Sequence, residues 1–507
     1  MDIPSEIELK LEVDATDLPR LRASPLIKGG GKKTERLISR YFDTPEKTLA
    51  RAGYTLRVRA TRGGNVQTIK REGGHAAGLF VRPEWEQPVD GEMPMLDRAG
   101  PLSYLVSAGE LDVAFVSEIE RETRHVALGG AQIEVALDEG QVRAGERASA
   151  ICELELELKG GEAQPLFALA HELNALVPLR IEVRSKAERG HALTENADLA
   201  AAKSEPVMLD AEGDARDGFA AIAAACIRHF RLNEPLLLKT GEADALHQTR
   251  VALRRLRSAF SSFRPLLAGD PRALALSREL RWLAGELGEA RDLDVLIPKL
   301  EAHRRARLEP ARALALSQAR SALKSLRARA LMLDLAEWLA IGALRREPAD
   351  PALAREPIAA LAASLLRGHR KRLKRRGQNL SALDDHHRHR ARIEAKKLRY
   401  ATEFFASLWT EKKAKARLRR FLEALEDLQD QLGALNDQVA AARLLARHGI
   451  DGESRPKGRK KLLRKADKGV RSADAGEALL GLNQAKGWPV GSIAISAGSC
   501  ATMSPSA

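Results

Sequence analysis

Residues 6–13 read Glu-Ile-Glu-Leu-Lys-Leu-Glu-Val. On a β-strand, alternate side chains share a face, so Glu6, Glu8, Lys10 and Glu12 point one way and Ile7, Leu9, Leu11 and Val13 the other. Alone, this is an ordinary amphipathic strand. Its meaning depends on whether other strands place charge of both signs on one face.

They do. Arg57 and Arg59 alternate in Thr55–Arg59, and Thr68-Ile-Lys70 follows a Gly-Gly turn. Glu84-Trp-Glu86, then Arg121, Thr123 and His125, then Glu134 and Asp138 continue the pattern. Residues 152–159, Cys-Glu-Leu-Glu-Leu-Glu-Leu-Lys, put Glu153, Glu155, Glu157 and Lys159 together, and Glu182, Arg184 and Lys186 alternate next. A half-exposed sheet would mix uncharged polar residues into its wet face. Formal charge of both signs fits an antiparallel barrel whose apolar side chains pack outward and whose charged ones line a lumen, with helices flanking it in an α+β domain.

Lys10, Arg57, Arg59, Lys70, Arg121 and Lys186 suit a chain of phosphates, because guanidinium forks match phosphate oxygens. Glu6, Glu8, Asp138, Glu153 and Glu155 would repel phosphate directly. They become useful around a divalent cation such as Mg²⁺, which takes carboxylate and phosphate oxygens. Lys10, Glu8 and Arg57 form the expected catalytic set, and Lys10 is a candidate for orienting water. No nucleophile–base arrangement or Walker-type loop is visible, so a covalent intermediate is not expected.

The pieces Glu6-Ile-Glu-Leu-Lys10, Arg40-Tyr-Phe-Asp-Thr-Pro45, Leu56-Arg-Val-Arg59, Thr68-Ile-Lys70, Glu84-Trp-Glu86, Arg121, Leu137-Asp138, Glu153-Leu-Glu155 and Ser185-Lys-Ala-Glu-Arg-Gly190 resemble, in order, the CYTH family of triphosphate tunnel metalloenzymes. The resemblance spans residues 1 to about 200. It implies an eight-stranded tunnel that hydrolyses, or in some members cyclises, triphosphates with Mg²⁺ or Mn²⁺. It also implies metal contacts from Glu6, Glu8, Asp138, Glu153 and Glu155, and phosphate contacts from the six cations above. Three glutamates at 153, 155 and 157 compete for two of the metal roles. Inorganic triphosphate (tripolyphosphate) is the expected substrate. Class IV-type adenylate cyclase activity, another organic triphosphatase and a scaffold that only binds are the alternatives.

The 507 residues are enough for several domains. Cys152, Cys226 and Cys500 are isolated, offering neither a disulfide framework nor zinc spacing. There is no run of 18 apolar residues and no apolar leader, so no membrane span and a cytoplasmic location are expected. Charge divides the chain. Residues 1–200 carry −7 and the rest +21, giving the overall +14. The excess points to a polyanion for the second part. Residues 1–203 are assigned to the tunnel, and 204–216 (SEPVMLDAEGDAR) to a linker.

From 217 to 450 Ala, Leu, Arg and Glu recur at helical spacing. Helices are expected at 217–230, 243–267, 272–290, 317–345, 354–376, 384–408 and 414–448, with Pro235, Pro265, Pro298, Pro310 and Pro351 near their ends. The segment repeats itself. His247-Gln-Thr-Arg250-Val-Ala-Leu-Arg254-Arg-Leu-Arg257 corresponds to His389-Arg-Ala-Arg392-Ile-Glu-Ala-Lys396-Lys-Leu-Arg399, 142 residues later. Leu287-Gly-Glu-Ala-Arg-Asp292 corresponds to Leu432-Gly-Ala-Leu-Asn-Asp437, 145 residues later, so a duplicated helical bundle with a Leu-Gly turn in each copy is expected. His247, Arg250, Arg254 and Arg257 share one helical face, as do His389, Arg392, Lys396 and Arg399. No acidic i+4 partner is expected on either face. A third basic helix, 369–376, would extend a groove between them.

His229-Phe-Arg-Leu-Asn-Glu-Pro235, the 247–257 stripe, Ala290-Arg-Asp-Leu-Asp294 and Lys396-Lys-Leu-Arg-Tyr400 resemble the CHAD family of histidine-containing helical repeats. That resemblance implies inorganic polyphosphate as the ligand of both stripes, and with it an association with polyphosphate granules. Charge alone would equally allow nucleic acid, but few aromatics stand near the stripes for base stacking. Residues 451–507 are expected to be a basic, disordered tail.

Overall fold

Alternating charge and apolarity produces nine strands: β1 Ser5–Val13, β2 Gly30–Asp43, β3 Tyr54–Thr61, β4 Gly64–Arg71, β5 Leu79–Val89, β6 Asp112–Leu128, β7 Ala131–Ala144, β8 Arg147–Gly160 and β9 Leu179–Ile181. The computed structural model describes residues 5–28, 30–61, 63–71, 77–96, 100–195, 200–450 and 459–475. The strands run in the order β5-β4-β3-β2-β6-β7-β8-β1, and β1 pairs back onto β5, closing an eight-stranded antiparallel barrel. One edge of β1 is shared. Residues 5–9 pair with β5, and residues 11–13 pair with the short β9.

Burial sets which face is which. Leu9 and Leu11 are fully buried on the outside of β1. Each such side chain contributes roughly 1.5–3 kcal/mol, and a one-residue slip would turn it into the charged lumen. The outer wall beside β3 and β4 packs Phe42, Leu56, Val58 and Ile69 with Leu49, Leu102 and Val106.

The lumen is not charged throughout. Leu37 and Tyr41 of β2, Phe115 and Ile119 of β6, Val142 of β7 and Ile151 of β8 lie on the inward alternation. They form an apolar cluster with Ala187 and Leu193. Those two belong to α4, the last of four helices in this part: α1 Leu18–Ala23, α2 Thr48–Arg51, α3 Gln164–Leu176 and α4 Lys186–Glu195. A Cβ on Gly190 of α4 would lie 2.2 Å from the Phe115 ring, so only glycine lets the helix seat this deeply. The expectation of a strand through Glu182, Arg184 and Lys186 is therefore corrected. β9 stops at Ile181, residues 182–185 are irregular, and Lys186 begins a helix. The Ser185-Lys-Ala-Glu188 sequence is a capping box: Ser185 N–H donates to Glu188 Oε2 (2.7 Å) and Glu188 N–H to Ser185 Oγ (3.1 Å).

Beyond residue 200 the described residues hold helices and no strand: α5 Ala215–Thr240, α6 Ala243–Ser262, α7 Pro271–Glu286, α8 Gly288–Leu296, α9 Ala302–Lys324, α10 Leu326–Ile341, α11 Ala343–Arg346, α12 Pro351–Ala354, α13 Ile358–Arg376, α14 Asp385–Phe404, α15 Lys412–Arg447 and α16 Arg459–Ala475. Pro235 and Pro310 sit inside α5 and α9 rather than at helix ends. Phe230 and Leu237, on either side of Pro235 in α5, are buried. The Leu-Gly element differs between the copies. At Leu287 it separates α7 from α8, whereas Leu432-Gly433 lies within a continuous α15. Residues 459–475, expected to be flexible, form α16, whose Leu463, Ala466 and Val470 are buried at helical spacing. Residues 451–458 and 476–507, with Cys500, fall outside the described set.

Contacts between residues divide the chain into two compact units, Met1–Met208 with Asp214–Glu356 and Asp437–Pro456, and Leu209–Gly213 with Pro357–Asn436 and Lys457–Ala507. The first histidine–arginine stripe thus belongs to the first unit and the second stripe to the other. None of the described helices is long and apolar enough to cross a membrane.

Candidate active site

Cross-strand register brings the charged residues together. Lys10 stands opposite Glu155, and Glu12 opposite Glu153, in the β1–β8 ladder. Arg121 stands opposite Asp138 between β6 and β7, and Asp138 opposite Glu153 between β7 and β8. Lys10 Nζ donates to Glu8 Oε1 at 2.7 Å and also to Glu155. Arg121 forks onto both oxygens of Asp138 at 2.7 and 2.6 Å and donates to Glu155. Lys186 Nζ lies 2.8 Å from Asp138, 2.9 Å from Glu153 and 2.7 Å from Glu155.

Burial disfavours charge on Lys10, Arg121, Lys186, Asp138 and Glu155, yet pairing outweighs it. Burial opposes the charge on Lys10, but Glu155 and Glu8 hold its pKa above the ordinary lysine value. Burial likewise opposes Lys186, and Asp138, Glu153 and Glu155 hold it well above its usual value. The same contest leaves Glu155 well below the carboxylate range, through Lys10, Lys186 and Arg121. Asp138 is also lowered, against burial, by Lys186 and Arg121. Both signs stay ionised in the lumen.

Asp138, Glu153 and Glu155 each offer a carboxylate oxygen within 4.8 Å of the other two, and all three are buried. Among the described residues Glu153 Oε1 accepts no hydrogen bond, and Arg189 Nη2 stands 3.4 Å from it. An all-oxygen, anionic set with one oxygen free of hydrogen bonds fits a hard divalent cation. Glu157 is half-buried and pairs with Lys159 at 2.6 Å, so the glutamates that join Asp138 are 153 and 155. Glu8 is held by Lys10, with Arg82 at 3.8 Å from its other oxygen. Glu6 lies in β1 opposite Arg82, and its side chain is outside the described set.

The remaining cations form a second group. Arg57 Nη2 stands 3.9 Å from both Glu84 and Glu86, and Lys70 Nζ is 3.1 Å from Glu84. Arg59 donates from Nε to Ser39 Oγ at 3.1 Å, and among the described residues no carboxylate comes within ion-pair distance of it. Burial, then Arg57 and Arg121, push its pKa down to about 10. Arg59 is thus a guanidinium in a cationic field. Tyr41 stacks on Phe115 with ring centres 4.6 Å apart. Burial raises its phenol, but Arg57, Arg59 and Lys186 outweigh this and lower it.

Three neighbours escaped the sequence reading. Arg82 is 7% exposed and lies over the Phe80 ring at 4.5 Å. It continues the Glu84-x-Glu86 alternation backwards, but Pro83 between them argues against a strand. Arg189, one helical turn after Lys186, meets Glu182 and lies 3.4 Å from Glu153. Tyr41 stood in a quoted motif but was given no role.

In the helical region, His247, Arg250, Arg254 and Arg257 share α6. Burial lowers Arg250 against the opposing pull of Asp292, with Arg254 and Arg291 adding to it; burial, then Arg281, lowers Arg257; and burial, then Arg291 and Arg254, brings His247 to about 4. Among the described residues no carboxylate lies within ion-pair distance of Arg250 or Arg257; Arg250 donates to the Ala284 carbonyl at 3.1 Å. The second stripe, on α14, differs from expectation. Arg399 has an i+4 acidic partner, Glu403, at 2.7 Å, and Glu426 at 3.6 Å. Buried Glu394 pairs with Arg376 at 2.6 Å and faces His369 and Arg372, so the third basic helix is partly neutralised. His389 bonds Asn436 at 2.9 Å.

The profile of the CYTH domain matches residues 4–191, and that of the CHAD domain residues 221–446. An inorganic triphosphatase of Haemophilus influenzae is 33% identical over 195 residues, which is 37% of this chain and 54% of that protein. The chain thus matches about half the length of that relative. A CHAD domain from the plant Ricinus communis is 30% identical, with a TM-score of 0.44 over 56% of this chain and 96% of its own. A Hippeastrum protein, described as a candidate adenylyl cyclase with a dominant triphosphatase activity, is 17% identical, with a TM-score of 0.29 over 37% of this chain and 95% of its own. The chain therefore carries a CYTH domain followed by a CHAD domain.

Proposed function

We propose that the barrel hydrolyses inorganic triphosphate to diphosphate and phosphate with Mg²⁺ or Mn²⁺, and that the helical region binds inorganic polyphosphate. The observation that carries the first part is the division of the lumen. One wall holds a buried carboxylate trio in which Glu153 Oε1 lacks a hydrogen bond, and among the described residues no carboxylate lies within ion-pair distance of Arg59 in the same lumen.

Asp138, Glu153 and Glu155, with Glu6 and Glu8 beside them in β1, would hold the cation, which supplies charge neutralisation for the phosphate oxygens when bound. Arg57, Arg59, Lys70, Arg121 and Lys186 bind the phosphate chain. Lys10, buried and kept charged, contacts phosphate and orients water, with Glu8 fixing its Nζ. The polyphosphate part rests on Arg250 and Arg257, partly buried beside other arginines, whose repulsion an anion would relieve.

Phosphate release from tripolyphosphate, followed with Mg²⁺, with Mn²⁺ and with chelator, tests the hydrolysis. Cyclic AMP formed from ATP would instead favour cyclisation. Metal-dependent rates that survive Glu8→Gln and Arg57→Ala would overturn the site assignment. Competition of labelled polyphosphate against DNA on the full chain tests the second ligand.

A further inference from the structure

Between β9 and α4 the chain has no regular structure, yet this is the segment that delivers Lys186 and Arg189 to the lumen carboxylates. Its buried carbonyls need donors. Glu182 N–H is tied to the Lys10 carbonyl at 2.8 Å. Two of the carbonyls, at Ile181 and Val183, are met by α5, the first helix of the CHAD domain. Arg231 Nε donates to Ile181 O at 2.6 Å, and Arg228 Nη1 to Val183 O at 2.5 Å.

The same two arginines hold acidic side chains of the barrel. Arg228 Nη2 bonds Glu188 Oε1 at 2.7 Å, while the other oxygen of Glu188 caps the start of α4. Arg231 Nη2 bonds Glu12 Oε2 at 2.8 Å, on the charged face of β1 opposite Glu153. Arg231 is 3% exposed and braced by Glu234. A planar guanidinium donates from separate nitrogens in a fixed fork and so reaches a carbonyl and a carboxylate at separate positions, whereas an ammonium donates from one point.

We propose that Arg228 and Arg231 are positioning residues for the phosphate site: α5 of the CHAD domain fixes residues 181–188 and thereby the Lys186 ammonium against Asp138, Glu153 and Glu155. The tunnel site is then complete only with the first CHAD helix in place. This rests on the triphosphatase reading for its kinetic test.

The test uses the full chain. If Arg228 acts through Lys186, Arg228→Ala lowers kcat/KM for tripolyphosphate with Mg²⁺ by about tenfold in the native background. In a Lys186→Ala background it lowers it by no more than about twofold. Equal losses in both backgrounds, or none in either, would overturn the proposal. Arg231→Lys keeps a charge for Glu12 but loses the fork to Ile181, and lowers kcat/KM in the same direction. Amide hydrogen exchange supplies a readout independent of turnover. In Arg228→Ala, amides of residues 183–189 exchange about tenfold faster while those of α6 are unchanged. Unaltered exchange at 183–189 would overturn the positioning role. If the parent chain hydrolyses no triphosphate, the reading of the tunnel fails, and the exchange result still decides the positioning.

Discussion

The barrel lumen and the α6 stripe are built from the same cations, and the two places treat them in opposite ways. In the lumen Lys10, Arg121 and Lys186 are buried beside carboxylates, which overcome burial and raise their pKa values. On α6 burial prevails, reinforced by neighbouring arginines, and lowers Arg257 and also Arg250, where Asp292 opposes it without overcoming it. At Lys10, Arg121 and Lys186 the lumen carries its counter-charges with it, so a ligand would have to exchange partners there. Among the described residues no carboxylate lies within ion-pair distance of Arg250 or Arg257, so an anion bound there would add a counter-charge. The first arrangement suits selection of a substrate by geometry; the second suits a long polyanion held by charge.

Breaking the pairing in the lumen should give the largest effect. Glu155 touches Lys10, Arg121 and Lys186, and Glu155→Gln should lower tripolyphosphate turnover on the order of 10²- to 10³-fold. Initial rates of phosphate release check it.

A neutral group beside the helical cations gives the next effect. His229 of α5 is buried, and burial followed by Arg255 brings its pKa to about 4, against 6.5 unfolded. Below pH 6.5 the unfolded chain therefore takes the proton first, and stability is lost until about pH 4 is reached. Between pH 7 and pH 5 the loss should be about 2 kcal/mol, read from urea midpoints of the native chain against His229→Gln, whose profile should be flatter.

The stripe itself should behave additively. Replacing Arg250, Arg254 and Arg257 by Gln should flatten the plot of log affinity for polyphosphate against log salt by roughly 0.7 for each cation removed. An unchanged slope would place the ligand elsewhere. The smallest effect sharpens the comparison within the helical region. Arg399 already has Glu403 and Glu426, so Arg399→Gln should change the slope less than Arg257→Gln, in the same titration.

Much of the barrel was legible because a strand has a period of two. Once Leu9 and Leu11 had to be buried outward, Glu8 and Lys10 had to face in, and the same logic reached Arg57, Arg121, Asp138, Glu153 and Glu155. Where a rule depends on context, the reading failed. Pro83 hid Arg82, although the proline sits at the last residue pairing with β1. Lys186 followed strand spacing but begins a helix, because Ser185 and Glu188 cap it there. The absence of an acidic partner at i+4 was misjudged for Arg399, where Glu403 occupies that place.

The sequence by itself determined the barrel and helical halves, the charge that separates them and the alternation that turns the ionisable residues inward, because these follow from local periodicity and from burying apolar side chains. Only the tertiary structure decided three things: which two of Glu153, Glu155 and Glu157 join Asp138, that α4 and an apolar cluster fill part of the lumen, and that α5 holds the segment bearing Lys186. Each depends on residues far apart in the chain meeting across a strand register or a helix contact, and no local period records that distance.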